Sequence, residues 1–216
     1  MRLNMRWPVT FCLIWIATIA VVRGQPTVVE QKNSTSPDNL YYVALEQEIP
    51  TDGSDCSLQI RSRTDKGILA TFDWEQFWDR LSDDGAVKWT EDSKAFVISG
   101  FFGRGWSGSR VFFHLSNGSW TEVEIPRPDT GHPAKDGWET RDKGGYCAVR
   151  WLAKDVLVMD YVNPTYRVKN AAAAVATNVF DAEFAPSHYS VSLRLIKDSR
   201  GNPVFQQIGL HELPDN

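Results

Sequence analysis

Residues 100–110 read Gly-Phe-Phe-Gly-Arg-Gly-Trp-Ser-Gly-Ser-Arg and lie between two segments with strand character. Four glycines let a backbone approach a ligand closely, and the forks of Arg104 and Arg110 match a carboxylate or phosphate. No helix follows to offer its amino terminus, so this is not a phosphate-binding fingerprint. The bland alternative is a wide hairpin loop whose Trp106 packs on the sheet. A second polar stretch, 129–145, contains His132, Asp136, Trp138 and Glu139. Connections of that length inside a compact domain are functional or mobile. Trp106 and Trp138 together suit a platform on which a sugar or peptide ring stacks. Ligand contact is therefore expected at Arg104, Trp106, Arg110 and Trp138.

The other reactive side chains form no recognisable constellation. Glu122 and Glu124 stand two apart on a strand and share a face, which an outward acidic edge with Val123 and Ile125 inward explains. The four histidines, His114, His132, His188 and His211, have no metal-ligand spacing, and neither Cys56 nor Cys147 belongs to a C-x-x-C pair. No G-x-S-x-G, H-E-x-x-H or Walker motif occurs, so no metal, cofactor or catalytic set is assigned.

The elements that position these residues are mostly strands. A strand, a turn with glycine and a second strand occur three times. SLQIRSR and ILATF flank Thr64–Gly67, RVFFHLS and WTEVEI flank Asn117-Gly118, and SVSLRLIKD and PVFQQIGL flank Ser199–Asn202. Asn117-Gly118 reads as a two-residue type I′ turn. Two helical insertions are expected. In the first, Asp73 caps a helix with Trp74, Phe77, Trp78 and Leu81 on one face, stopping at Ser82–Gly85. The second covers the alanine-rich residues 170–180.

Ala86-Val87-Lys88-Trp89 followed by TEDSKAFVIS matches Ala148-Val149-Arg150-Trp151 followed by LAKDVLVMDY, and each precedes a hairpin. The two tryptophans are 62 residues apart, which is an internal repeat. In its Val-x-Trp opening, Asp-containing turn and closing hairpin, the repeat resembles blades of the WD40-like, TolB-type β-propeller class. The likeness covers Ala86–Ile125 well and Ala148–Leu210 loosely, and the first unit, NLYYVALEQE, lacks the tryptophan. Thr90-Glu91-Asp92-Ser93 stands where that class has a Ser-Pro-Asp-Gly-like turn. The implied fold is all-β, about three blade-like antiparallel units with minor helical insertions; a β-sandwich is the alternative. Three units fall short of the 4 to 8 blades of closed propellers, so either the sheets curl together or the chain pairs with another copy.

The amino end assigns a compartment. Residues 1–24 carry Arg2 and Arg6, an apolar run from Val9 to Val22 and a small residue at Gly24, the layout of a signal peptide. Fourteen apolar residues are fewer than the roughly 20 of a membrane-spanning helix, although an uncleaved anchor is the competing reading. Cleavage leaves a flexible lead-in, 25–39, with an Asn33-Ser34-Thr35 sequon, and a single β-repeat domain, 40–216. Secreted or periplasmic localisation follows. With the leader removed, Cys56 and Cys147 are the only cysteines, and a disulfide between them, worth about 4 to 5 kcal/mol in the chain-entropy model, is expected over two buried thiols.

The net charge of -4, without a run of like charges, disfavours nucleic acid as a partner. The expectation is an exported binding protein for an extracellular glycan, peptide or protein. The alternatives are a small hydrolase with an Asp/Glu pair and a structural subunit completing a β assembly, a homodimer included.

Overall fold

The computed structural model describes residues 27–47, 56–74, 80–81, 87–102, 106–130, 139–140, 145–163, 165–168, 182–184 and 187–214. Their regular structure is all β, in antiparallel sheets. The leader 1–24 and residues 170–180 lie outside the described residues. No helix among the described residues is long and apolar enough to cross a membrane.

The first sheet is a meander of β1 (Thr27–Thr35), β2 (Tyr41–Gln47), β3 (Cys56–Ser62) and β4 (Ile68–Asp73). In the second, β5 (Arg80–Leu81) and β6 (Val87–Trp89) share one edge of β7 (Ala95–Phe102), followed by β8 (Trp106–His114) and β9 (Trp120–Val123). Beyond β10 (Glu139–Thr140), the third meander joins β11 (Gly145–Ala153) and β12 (Val156–Asn163) to β15 (Ser187–Lys197) and β16 (Pro203–Leu213). Between β12 and β15 come β13 (Thr165–Val168) and β14 (Ala182–Phe184). Tyr166 opposes Phe184 in the same register that sets Val162 opposite His188, so β12–β13 and β14–β15 are one long hairpin. With β10 paired to β13, that hairpin extends as a three-stranded arm.

The meanders stack face to face, because period-two alternation gives the middle sheet an apolar residue on both faces. Phe96, Ile98, Phe112 and Trp120 pack against Val43, Leu45, Leu58 and Ile60 of the first sheet. Val97, Val111 and Val123 pack against Leu157, Met159, Val191 and Leu193 of the third.

Three local expectations are corrected. Residues 27–35, read as a flexible lead-in, form β1, paired with β2 from Thr27 opposite Gln47. An edge strand needs no apolar period when its ladder holds it, and Val28 and Val29 are exposed. Asp73, expected as a helix cap, is the last residue of β4; Trp74 donates its N–H to the Cys56 carbonyl and is buried in the first core. Arg80–Leu81, expected at the end of that helix, is strand, while Glu75–Asp79 lie outside the described residues. At Asn117-Gly118 the loop is closed by Leu115 N–H to the Ser119 carbonyl, and Gly118 takes a φ of 86° while Asn117 stays out of the left-handed region. That is a three-residue loop ending in a bulge glycine, which gives the strands their twist without a type I′ pair.

The structure also reveals a turn repeat that extends the tryptophan repeat into the first sheet. Thr90 Oγ1 accepts the Ala95 N–H at 3.0 Å and donates to Asp92 Oδ1 at 2.8 Å, Lys94 N–H donates to the same carboxylate at 3.2 Å, and Ser93 has φ 59°. In Ser36-Pro37-Asp38-Asn39, Ser36 Oγ accepts the Tyr41 N–H at 2.9 Å and donates to Asp38 Oδ1 at 2.6 Å. Leu40 N–H donates to Asp38 at 3.0 Å, and Asn39 has φ 60°. The turns touch: Asp38 N–H donates to Ser93 Oγ at 3.0 Å.

Thr90→Val keeps the shape but leaves the Ala95 N–H without its hydroxyl acceptor at a site with no solvent exposure. A loss of about 1 to 3 kcal/mol is expected, with Thr90→Ser nearly neutral, both read from urea midpoints.

Candidate functional site

β6 and β11 hold equivalent repeat positions at the edges of their sheets, and their tryptophans sew the sheets together. The Trp89 indole N–H donates to the Ser34 carbonyl of β1 at 2.9 Å, and the Trp151 indole N–H donates to the Lys88 carbonyl of β6 at 2.9 Å. Ser34 and Lys88 hold the same repeat position, one residue before Thr35 and Trp89, which oppose Tyr42 and Phe96 respectively. Lys88 Nζ reaches across to the Ala148 carbonyl of β11 at 2.7 Å. Deeper in the same joint, the hydroxyls of Ser99 and Ser109 lie 2.8 Å apart and both accept from the Ala148 N–H, while Ser109 donates to the Tyr146 carbonyl at 3.2 Å.

Where β6 and β11 reach their turns, this joint opens into a cleft of about 220 Å³. Its walls are Lys88, Trp89, Glu91, Arg150, Trp151 and Leu152, with Ala153 at the rim. Both indoles are half-buried, Glu91 and Arg150 are exposed, and Leu152 is 63% exposed. The opening is smaller than the roughly 300 to 1,000 Å³ of drug-sized ligand pockets, so it fits one side chain or one sugar ring of a longer molecule. The tandem Val-x-Trp segments mark these walls in the sequence; what hides the cleft is that both tryptophans also serve the core.

The expected ligand contacts fare differently. Arg110 lies under a lid of its own partners. Its Nε donates to Glu122 Oε1 at 2.7 Å and Nη2 to Glu122 Oε2 at 2.5 Å, Nη1 donates to the Asp73 carbonyl, and the guanidinium stands 5.2 Å from the Trp74 ring centre. The fork expected to meet a ligand is committed within the fold, and it also explains Glu122, whose neighbour Val123 points into the core. Most of the expected wide glycine loop is ladder, since β7 and β8 pair from Ala95 opposite Phe113 as far as Phe102 opposite Trp106. Trp106 therefore begins β8. Arg104, Trp138, His132 and Asp136 lie outside the described residues; Glu139, next after Trp138, begins β10 on the third sheet's arm. Phe102, Trp106 and that arm lie at the end of the sheets opposite the cleft, because β7 and β12 both start at the turn end and run away from it.

No disulfide joins Cys56 to Cys147. Cys56 packs on the core between the first and second sheets, whereas Cys147 sits on β11 between Tyr146 and Ala148, both of which face the other core. Alternation turns its side chain to the opposite face of the third sheet, so the two thiols belong to different layers. Burial, reinforced by the nearby Glu46 charge, pushes the Cys56 thiol up and keeps it protonated. Among the described residues no group of three or more His, Cys, Asp or Glu side chains could hold a metal ion.

Tyr146 donates its phenol to the Pro126 carbonyl at 3.1 Å and packs on Tyr161 with ring centres 4.9 Å apart. Burial, with a smaller contribution from the neighbouring Tyr161, raises its ionisation well above the ordinary tyrosine value, against a weaker opposing pull from Arg127. A folded value above the unfolded value of about 10 means stability is held below that pH and lost as pH rises beyond it. Urea midpoints are expected to fall above about pH 10, and Tyr146→Phe should flatten the fall; an unchanged slope in the variant would place the loss elsewhere.

Compared with protein-family models and with curated proteins, the chain matches none.

Proposed function

We propose that this chain is an exported binding protein of propeller-like β repeats that holds one residue of an extracellular glycan or peptide in the cleft between β6 and β11. The observation that carries this reading is the cleft's mixed lining. Two indole faces and an exposed Leu152 stand beside Arg150 and Glu91, at a joint where Lys88, Trp151, Ser99 and Ser109 make hydrogen bonds between the second and third sheets. Aromatic faces beside a few placed charges suit a ring or side chain that is apolar on one side and polar on the other. The leader-like residues 1–24 support a secreted or periplasmic location, and the blade-like meanders support the propeller-type resemblance. Trp106, at the far end of β8, and Trp138 remain candidates for a second contact region.

The test begins with glycan and peptide arrays probed with the exported protein, followed by tryptophan-fluorescence titration of the strongest hit. Leu152→Asp, at a site too exposed to matter for folding, should weaken binding at least tenfold, and Arg150→Ala should weaken it further. Equal affinity in Leu152→Asp and the parent would remove the cleft from the reading. No binding to any array would overturn the reading itself.

A further inference from the structure

Sheets carry unpaired backbone groups at their edges, and in this fold the edges are guarded unequally. β1, β6 and β11 are tied to one another by the bonds of Trp89, Lys88 and Trp151, and β1 also carries Glu30 and Lys32. β9 is four residues long, and β4 is six and gives its last carbonyl, that of Asp73, to Arg110. β16 has none of these guards. It spans eleven residues at the outer edge of the third sheet, residues 204–210 carry no charge, and Ile208 is 44% exposed.

The ladder identifies the free groups on that edge. Asp198 N–H donates to the Asn202 carbonyl and closes the β15–β16 hairpin, so Lys197 and Pro203, the next pair in, point their backbone groups away from each other. Alternation gives the same setting to Leu195 with Phe205 and to Leu193 with Gln207. The Leu195 N–H does donate away from β16, to the Asp155 carbonyl at 2.7 Å. Past the bulge, Val191 with Leu210 and Tyr189 with Glu212 continue that phase along β15. The outward N–H and C=O groups of β16 are therefore those of Phe205, Gln207, Leu210 and Glu212, and among the described residues no backbone bond reaches them.

The spacing within that set selects a partner. Phe205 and Leu210 both pack on the second core although they are five residues apart, because Ile208 is the extra residue of a bulge that reverses the alternation. A regular strand laid along β16 matches its faces on one side of the bulge and mismatches them on the other. A strand that matches on both sides carries the same reversal at the same place, and a second β16 running antiparallel does so.

We propose that two copies of the chain pair through β16 about a two-fold axis perpendicular to the sheet, between Ile208 and Gly209. Phe205 then stands opposite Glu212 of the second copy and Gln207 opposite Leu210, so the outward groups of each strand meet those of the other in two-bond rungs. Between the rungs, Val204 meets Leu213 and Gln206 meets His211 on the outer face, and Ile208 meets Gly209 at the axis. No like charges stand opposite one another. The two four-stranded third sheets merge into one, whose remaining edges are the tied β11 strands, and the pairing closes as two-fold dimers do. The cleft lies at the β11 edge, so both copies keep it open, and the interface does not depend on what the cleft binds.

Light scattering after size exclusion, over a dilution series of the purified chain, should report twice the chain mass at high concentration and the chain mass at low. Ile208→Lys sets two ammonium groups beside the axis at an exposed site. It should raise the dimer dissociation constant at least tenfold with an unchanged circular-dichroism spectrum. Cross-linking reads the register. Exposed positions 206 and 211 lie about 16 Å apart along their own strand, too far for a disulfide. Across the axis they form a non-hydrogen-bonded pair with Cα atoms about 4.5 Å apart, within disulfide reach. Gln206→Cys combined with His211→Cys should therefore give, on mild oxidation, a covalent dimer whose peptide map joins 206 to 211 and which the parent chain does not form. A monomer at every concentration overturns the proposal, as does a dimer that Ile208→Lys leaves intact. A dimer in which the introduced cysteines stay reduced overturns it too, since another surface then holds the copies together.

Discussion

Phe112→Ala is expected to cost about 3 to 5 kcal/mol, the range for emptying a fully buried phenylalanine site. Phe112 has no exposed surface, stacks on Phe96 with ring centres 5.0 Å apart and meets Phe72 of the first sheet at 4.7 Å. The guanidinium of Arg110 stands 5.4 Å from its ring centre, so the strands on either side cannot collapse into the space without breaking the Arg110–Glu122 pair. The more telling result is cooperativity. The middle sheet supplies Phe112 to one core and Val111 to the other from adjacent residues of one strand, so neither core can melt alone. Leu193→Ala, in the second core, should therefore shift the same single urea transition by about 2 to 5 kcal/mol. Two separate transitions in either variant would show the sheets to be independent.

Trp89→Ala ranks next, at about 3 kcal/mol, the lower end of its class because part of the ring faces the cleft. The ring meets Phe96 at 4.7 Å and Trp120 at 5.9 Å, and its indole N–H is the stitch to Ser34. Trp89→Phe separates these contributions. It retains most of the apolar contact, leaves the Ser34 carbonyl without its donor and should cost about 1 to 2 kcal/mol. Guanidinium unfolding of both variants gives the two values, and a phenylalanine variant as stable as the parent would show that the indole bond adds nothing. Since Trp89 also walls the cleft, a loss of ligand binding in either variant counts only where the protein remains folded at the assay temperature.

How much of this was readable in advance can be followed residue by residue. The three hairpins stand where period-two alternation and turn glycines put them, with Gly118 and Gly201 both at positive φ. The Val-x-Trp repeat located the two strands that form the joints. The repeat's first copy was also written in the chain, as Ser36-Pro37-Asp38-Asn39, but without a tryptophan before it the turn read as part of a polar lead-in. Arg110 was legible as a fork seeking an anion, and its anion proved to be Glu122, twelve residues on and one strand over. The Val-x-Trp segments marked the cleft's walls, but nothing local showed that these two strands, about sixty residues apart, come together.

By itself the sequence determined what short-range chemistry controls: the all-β class, the hairpin turns, the strand faces and the repeat. Side-chain alternation and positive φ at glycine act within a few residues, so they leave a mark in consecutive letters. Only the tertiary structure decided that β1 is a strand, that Asp73 closes β4 with Trp74 buried in the first core, and that Cys56 and Cys147 sit in different layers. Those outcomes depend on backbone ladders and on which sheet covers which face, and such long-range pairings are fixed by packing the whole stack at once.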